Sequence, residues 1–108
     1  METLARLEQT IMSRRSAPPE ESYVALLNSK GIEVVAQKLG EEATEAVIAA
    51  VTGNREELIA ESADVLFHLI VLLNASDLTL ADVMAELDRR EGVSGIDEKA
   101  SRNSARSE

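Results

Sequence analysis

Apolar residues along this chain recur at the three-and-four spacing of a single helical face, and no stretch shows the alternation of a strand. Leu4, Leu7, Ile11 and Met12 predict a short amphipathic helix over residues 4–12. Arg14-Arg15-Ser16-Ala17-Pro18-Pro19 interrupts it, because a residue before proline is pushed out of helical conformation and two consecutive prolines stiffen a corner. The helical pattern resumes over 20–28 through Tyr23, Leu26 and Leu27, with Gly31 as a stop or kink. From Ile32, the residues Val35, Leu39, Ala43, Ala46, Val47, Ile48, Ala50 and Val51 predict one long helix with Gly40 inside it, ending at Thr52-Gly53.

Asn54 is then an N-cap, and Glu57 sits where a capping box would turn its carboxylate back to the cap amide. The helix that follows, 54–73, is apolar almost all round in its second half, from Val65 to Leu73, which implies burial on several sides and hence a second subunit. Thr79 with Asp82 caps a last helix that carries Leu80, Val83, Met84 and Leu87 and runs to about Arg90. The expected fold is all-α: a helical bundle built on an antiparallel hairpin of the two long helices, turned at Gly53-Asn54 and completed by a second subunit. Residues 1–91 form its one domain. Residues 92–108, small, polar and charged, form a tail expected to be mobile unless tied to a site.

Composition narrows the function. A chain of 108 residues has a high surface-to-volume ratio, and with one tyrosine, one phenylalanine and no tryptophan its core must be aliphatic. A formal charge of -9 with scattered Lys and Arg argues against a nucleic-acid partner. The absence of cysteine excludes disulfides, thiolate zinc sites and iron–sulfur clusters. No unbroken apolar run approaches the roughly 18 residues of a membrane span, and the first residues lack a signal-peptide pattern, so no membrane association and a cytoplasmic location are expected.

The remaining signal is acidic. Glu41, Glu42 and Glu45 fall within an arc of roughly 100° on one long helix, and Glu61 and Asp64 share a face of the next. Glu45 and Glu61 stand at matching distances before and after the turn, so the two stripes meet across the hairpin. Acids on a helix are ordinarily a solvated face; two clusters in matched register repel one another and suit a hard divalent cation, Mg2+ or Mn2+, held through oxygen. Lys38, one turn before Glu42, either places an ammonium beside this site or pairs with Glu41 or Glu42. His68, one turn after Asp64, fits a satisfied core histidine better than a magnesium ligand.

Glu-Glu-x-x-Glu, a short spacer and Glu-x-x-Asp resemble the motif of the MazG-like all-α nucleoside triphosphate pyrophosphohydrolases. The longer text, from Lys38-Leu39-Gly40-Glu41-Glu42 through Glu61-Ser62-Ala63-Asp64 to the tail segment Gly92-Val93-Ser94-Gly95-Ile96-Asp97-Glu98-Lys99, resembles the phosphoribosyl-ATP pyrophosphohydrolase family of histidine biosynthesis. The resemblance implies Mg2+-dependent hydrolysis of phosphoribosyl-ATP to phosphoribosyl-AMP and pyrophosphate, in a homodimer or higher even oligomer. It implies Glu42, Glu45, Glu61 and Asp64 as metal ligands, and Glu41 either in a second metal shell or as the group that deprotonates water. Lys38 is a phosphate contact, joined by Lys99 or Arg102 if the tail folds over the site. With Tyr23 and Phe67 alone able to stack on a base, recognition of adenine and ribose is expected to use backbone groups and aliphatic walls. The same acids would serve a house-cleaning pyrophosphohydrolase acting on free triphosphates, or a non-catalytic acidic bundle that binds a cation or a basic partner.

Overall fold

The computed structural model describes residues 2–92, 99, 100 and 102, and its main helices follow the apolar periodicity: α1 (Glu2–Arg14), α2 (Tyr23–Ser29), α3 (Ile32–Val51), α4 (Arg55–Ala75) and α5 (Leu80–Arg89). No strand occurs among the described residues. The fold is all-α, and α3 and α4 pack along each other as its central hairpin.

Local chemistry sets each boundary. Helix α2 starts at Tyr23 and not at Glu20, because the Glu21 amide closes a turn onto the Pro18 carbonyl at 2.9 Å and Ser22 Oγ caps the Ala25 amide at 3.2 Å. Gly31 ends α2 and begins α3 with φ of 95°, a conformation open to glycine and strained for other residues. At the hairpin, Gly53 adopts φ of 75°; its amide donates to Ala50 O at 3.2 Å and the Asn54 amide to Ala49 O at 3.0 Å, the paired bonds of a Schellman motif.

That motif overturns half of the expected capping box. Asn54 Oδ1 does accept from the Glu57 amide at 3.0 Å, but the Asn54 amide is already committed to Ala49, so the Glu57 carboxylate has no donor there. At α5 the box forms in full, Thr79 and Asp82 capping each other, and Glu8 of α1 adds a further acceptor to the Leu80 amide at 2.7 Å.

The core lies at the open end of the hairpin. Ile11, Val24, Leu27, Val35, Ile70 and Val71 are buried together, with Leu4, Leu7, Phe67, Leu72 and Leu80 packed around them. Toward the turn the hairpin is uncovered: Val47, Ile48, Val51 and Ile59 are exposed, Val51 by 81% and Ile59 by 72%. Helix α4 departs from the expectation about spans, being long and apolar enough by mean hydropathy, 1.7, to cross a membrane. An average tolerates Glu61 and Asp64, which break the unbroken run. Of the expected tail, 93–98, 101 and 103–108 lie outside the described residues, whereas Lys99, Ala100 and Arg102 are helical and exposed.

The two left-handed turn positions give opposite expectations. Gly53→Ala should lower stability by more than about 1 kcal/mol, because alanine is strained at φ of 75°. Asp77, at φ of 59°, holds the matching place after α4, so Asp77→Gly should be neutral or stabilising by up to about 1 kcal/mol. Urea melts of both variants check this pair, and equal losses would contradict it.

Candidate functional site

Because the Gly53 turn fixes the register of α3 against α4, Glu42 and Glu45 of one helix meet Glu61 of the other, and one carboxylate oxygen from each lies within 4.8 Å of the other two. Glu42 and Glu61 are buried, and Glu45 is exposed. Glu45 and Glu61 open onto a groove of about 450 Å3 whose other walls are Ile48, Ala49, Thr52, Asn54 and Glu57.

Crowding distributes the protons. The Glu57 carboxyl, released from its expected capping role, then Glu42, burial and Glu45 push Glu61 up to about 8, so Glu61 keeps its proton near neutrality. Glu42 goes the other way: burial would raise it, but the hydrogen bond from Glu61 and the ammonium of Lys38 outweigh burial and hold it below the usual carboxylate range. Lys38 realises both of its expected placements, lying 3.3 Å from Glu42 Oε1 and 3.8 Å from Glu41 Oε2. Its own value is raised, first by the bond to Glu42.

Glu41 and Asp64 stand outside the triplet. Glu41 is exposed, paired with Lys38 and accepting from Gln37 Nε2 at 3.3 Å. Asp64 is also exposed, one turn beyond Glu61 on α4, and its main-chain oxygen bonds His68 Nδ1 at 2.7 Å. The reading of His68 as a satisfied core histidine holds: it is buried, and its Nε2 meets the Tyr23 hydroxyl at 2.8 Å. Lys99 and Arg102 are exposed, and residues 93–98, which connect them to the helices, lie outside the described residues.

Sequence reasoning missed two participants. Glu57 had a signal, since it precedes Glu61 by four residues and so shares its helical face. Tyr23 is legible only as a ring able to stack on a base; that α2 sets its phenol where the charges of Lys38, Glu42, Asp64 and Glu41 all act on it had no local signal. Burial, the largest influence, raises the phenol.

An orphaned oxygen tests the fit of a cation. Glu61 Oε2 is buried with no hydrogen-bond partner among the described residues, in a cluster that offers oxygen ligands only, so the donor set suits a hard divalent ion and leaves an acceptor for it.

An all-helical chain with carboxylates gathered across one hairpin is consistent with the class that its motif resembles, the MazG-like all-α pyrophosphohydrolases. Comparison with known proteins narrows this. The family model for phosphoribosyl-ATP pyrophosphohydrolase matches residues 4–91. A relative from Erythrobacter litoralis named phosphoribosyl-ATP pyrophosphatase is 63% identical over 102 residues, covering 94% of this chain and 98% of the relative. Relatives of the same name from Novosphingobium aromaticivorans and Dinoroseobacter shibae are 62% and 59% identical, each over 94% of this chain and over 95% and 100% of their own lengths. The chain belongs to the phosphoribosyl-ATP pyrophosphohydrolase family, and it is a hydrolase.

The raised value of Glu61 makes stability depend on pH. Between the ordinary carboxylate range and about 8, the folded chain holds a proton that the unfolded chain has released. Stability without added divalent cation should therefore fall as pH rises through that window, and Glu61→Gln should flatten the fall. Thermal melts of both proteins at about pH 5 and about pH 9 in a chelator measure it; parallel profiles would contradict the assignment.

Proposed function

We propose that this chain hydrolyses phosphoribosyl-ATP to phosphoribosyl-AMP and pyrophosphate, the second step of histidine biosynthesis, with Mg2+ held by Glu42, Glu45 and Glu61 and with Asp64 completing the ligand set. The partnerless buried oxygen of Glu61 inside the carboxylate triplet carries this reading. A bound Mg2+, for which Mn2+ could substitute, supplies the positive charge that lets a polyphosphate come up to these acids and offsets charge on the departing pyrophosphate.

The chain's own groups do the rest. Lys38 sits at the edge of the triplet with its ammonium partly exposed, 36% by side chain, and turns it to the phosphate oxygens. Glu41, exposed beside Lys38, orients the water and takes its proton. The water oxygen bonds to the α-phosphorus as the bond from that phosphorus to the bridging oxygen breaks, and pyrophosphate leaves with the electron pair. Family membership and the names of the relatives favour this substrate over free triphosphates. A small soluble nucleotide as substrate agrees with the cytoplasmic expectation.

Phosphorus NMR of phosphoribosyl-ATP with enzyme and Mg2+ should show pyrophosphate as the first product. Lys38→Ala should lose most of the turnover yet keep Mn2+ affinity in calorimetric titration, whereas Glu45→Gln should lose affinity. Orthophosphate as first product would reject the cleavage site. Rapid hydrolysis of free triphosphates alone would move the chain to the house-cleaning branch, and no hydrolysis of either would leave the non-catalytic bundle.

We further infer a homodimer, or a higher even oligomer, built on the uncovered half of the hairpin. Val47, Ile48, Val51 and Ile59 lie exposed there, and burying each such side chain stabilises by roughly 1.5 to 3 kcal/mol. Light scattering should give at least twice the chain mass at micromolar concentration, and Val51→Lys with Ile59→Lys should dissociate the assembly. A wild-type monomer would reject it.

A further inference from the structure

The chain's one tyrosine, one phenylalanine and one histidine all gather in a single place. The Tyr23 and Phe67 rings lie nearly parallel, their centroids 6.0 Å apart and their planes 25° apart. His68 stands edge-on to both, at 5.7 Å from Tyr23 and 5.2 Å from Phe67. Phe67 is half-buried and His68 buried, yet Tyr23 remains 45% exposed.

An exposed tyrosine ordinarily moves among rotamers and bonds water. This one is held. The Asp64 main-chain oxygen can only accept, so His68 Nδ1, at 2.7 Å from it, carries a proton. The other ring nitrogen, Nε2, hydrogen-bonds the Tyr23 hydroxyl at 2.8 Å. With its hydroxyl fixed and Phe67 stacked against it, the ring is held in place while nearly half of the residue stays exposed. Its position is equally telling: Lys38 and Tyr23 act on each other's ionisation, and Lys38 reaches Glu42 of the carboxylate triplet at 3.3 Å.

We propose that the exposed ring of Tyr23 is the platform on which the purine base of the substrate stacks, with Phe67 packed against the ring and His68 fixing its hydroxyl. The proposal deepens the hydrolase reading and rests on it for the identity of the substrate. A rigid π surface next to an ammonium and an acid cluster orders a nucleotide along one line, the base on Tyr23 and the phosphates past Lys38 toward the acids. Ordering the ring in advance lowers the entropy that binding must overcome. Tyr23 is thus a binding residue and His68 a positioning residue. Recognition by backbone and aliphatic walls alone, the expectation from composition, underrates two aromatic side chains placed in contact.

With one tyrosine and no tryptophan in the chain, a single set of tyrosine ring resonances reports Tyr23 alone. ATP or phosphoribosyl-AMP, added with Mg2+, should move these proton resonances upfield through the ring current of the stacked base; pyrophosphate, which has no base, should leave them unmoved. Tyr23→Leu should raise KM for phosphoribosyl-ATP roughly tenfold with a smaller change in kcat, and Tyr23→Phe, which keeps the ring but loses the bond to His68, should recover part of the loss. Pyrophosphate affinity should survive in Tyr23→Leu, which a merely structural role for Tyr23 would not allow. Resonances unmoved at nucleotide concentrations that saturate turnover, or equal weakening of nucleotide and pyrophosphate in Tyr23→Leu, would overturn the platform. Ring shifts with ATP in a protein that leaves phosphoribosyl-ATP intact would uphold the platform and reject the hydrolase reading. Hydrolysis without ring shifts would do the reverse.

Discussion

Glu42, Glu45 and Glu61 bring carboxylate oxygens within 4.8 Å of one another, and three full negative charges cannot share that space in a partly buried setting without a counterweight. In the chain as it stands, two devices supply it. One is the proton that Glu61 keeps up to about 8, and the other is the Lys38 ammonium at 3.3 Å from Glu42. Both are local, and both give way to a divalent cation under the proposed function: the proton leaves, and Lys38 turns outward to phosphate. The crowding thus stores affinity for positive charge at one height of the hairpin.

Holding the acids there is a backbone task. The register of α3 against α4 is set where the chain reverses, by Gly53 at φ of 75° and the bonds from Gly53 and Asn54 back to Ala50 and Ala49. A slip of one residue at this turn would rotate Glu61 by about 100° off the facing stripe. The core lies elsewhere, around Ile11, Val35, Ile70 and Val71, so the end of the hairpin beyond the acids has little cover from the other described residues. Site and core divide the hairpin between them, and the apolar residues left exposed near the turn are the consequence.

This division explains which features are legible in the amino-acid sequence. The helices, the Gly53-Asn54 turn and the facing of Glu42 and Glu45 toward Glu61 all follow from spacings within a few residues, and periodicity records such spacings well. Glu57 escapes such a reading because one motif, the capping box, competes with another, the Schellman bond, for the same Asn54 amide, and the longer-range bond wins. Asp64 shows the limit of a helical wheel: it shares a face with Glu61, yet a turn of rise leaves its carboxylate outside the triplet.

The aromatic cluster lies beyond such reasoning altogether. Tyr23 and His68 are separated by 45 positions, and their bond depends on how α2 crosses the hairpin. That crossing is set by core packing of Val24 and Leu27 on the same short helix, Leu27 lying one turn beyond Tyr23. A helix of seven residues therefore has two tasks: Val24 and Leu27 close the core, and that burial fixes where its first residue, Tyr23, lies. In so small a chain the packing that makes the fold stable and the packing that places the Tyr23 ring are one set of contacts, so a change at Val24 or Leu27 would register at the site as well as in stability.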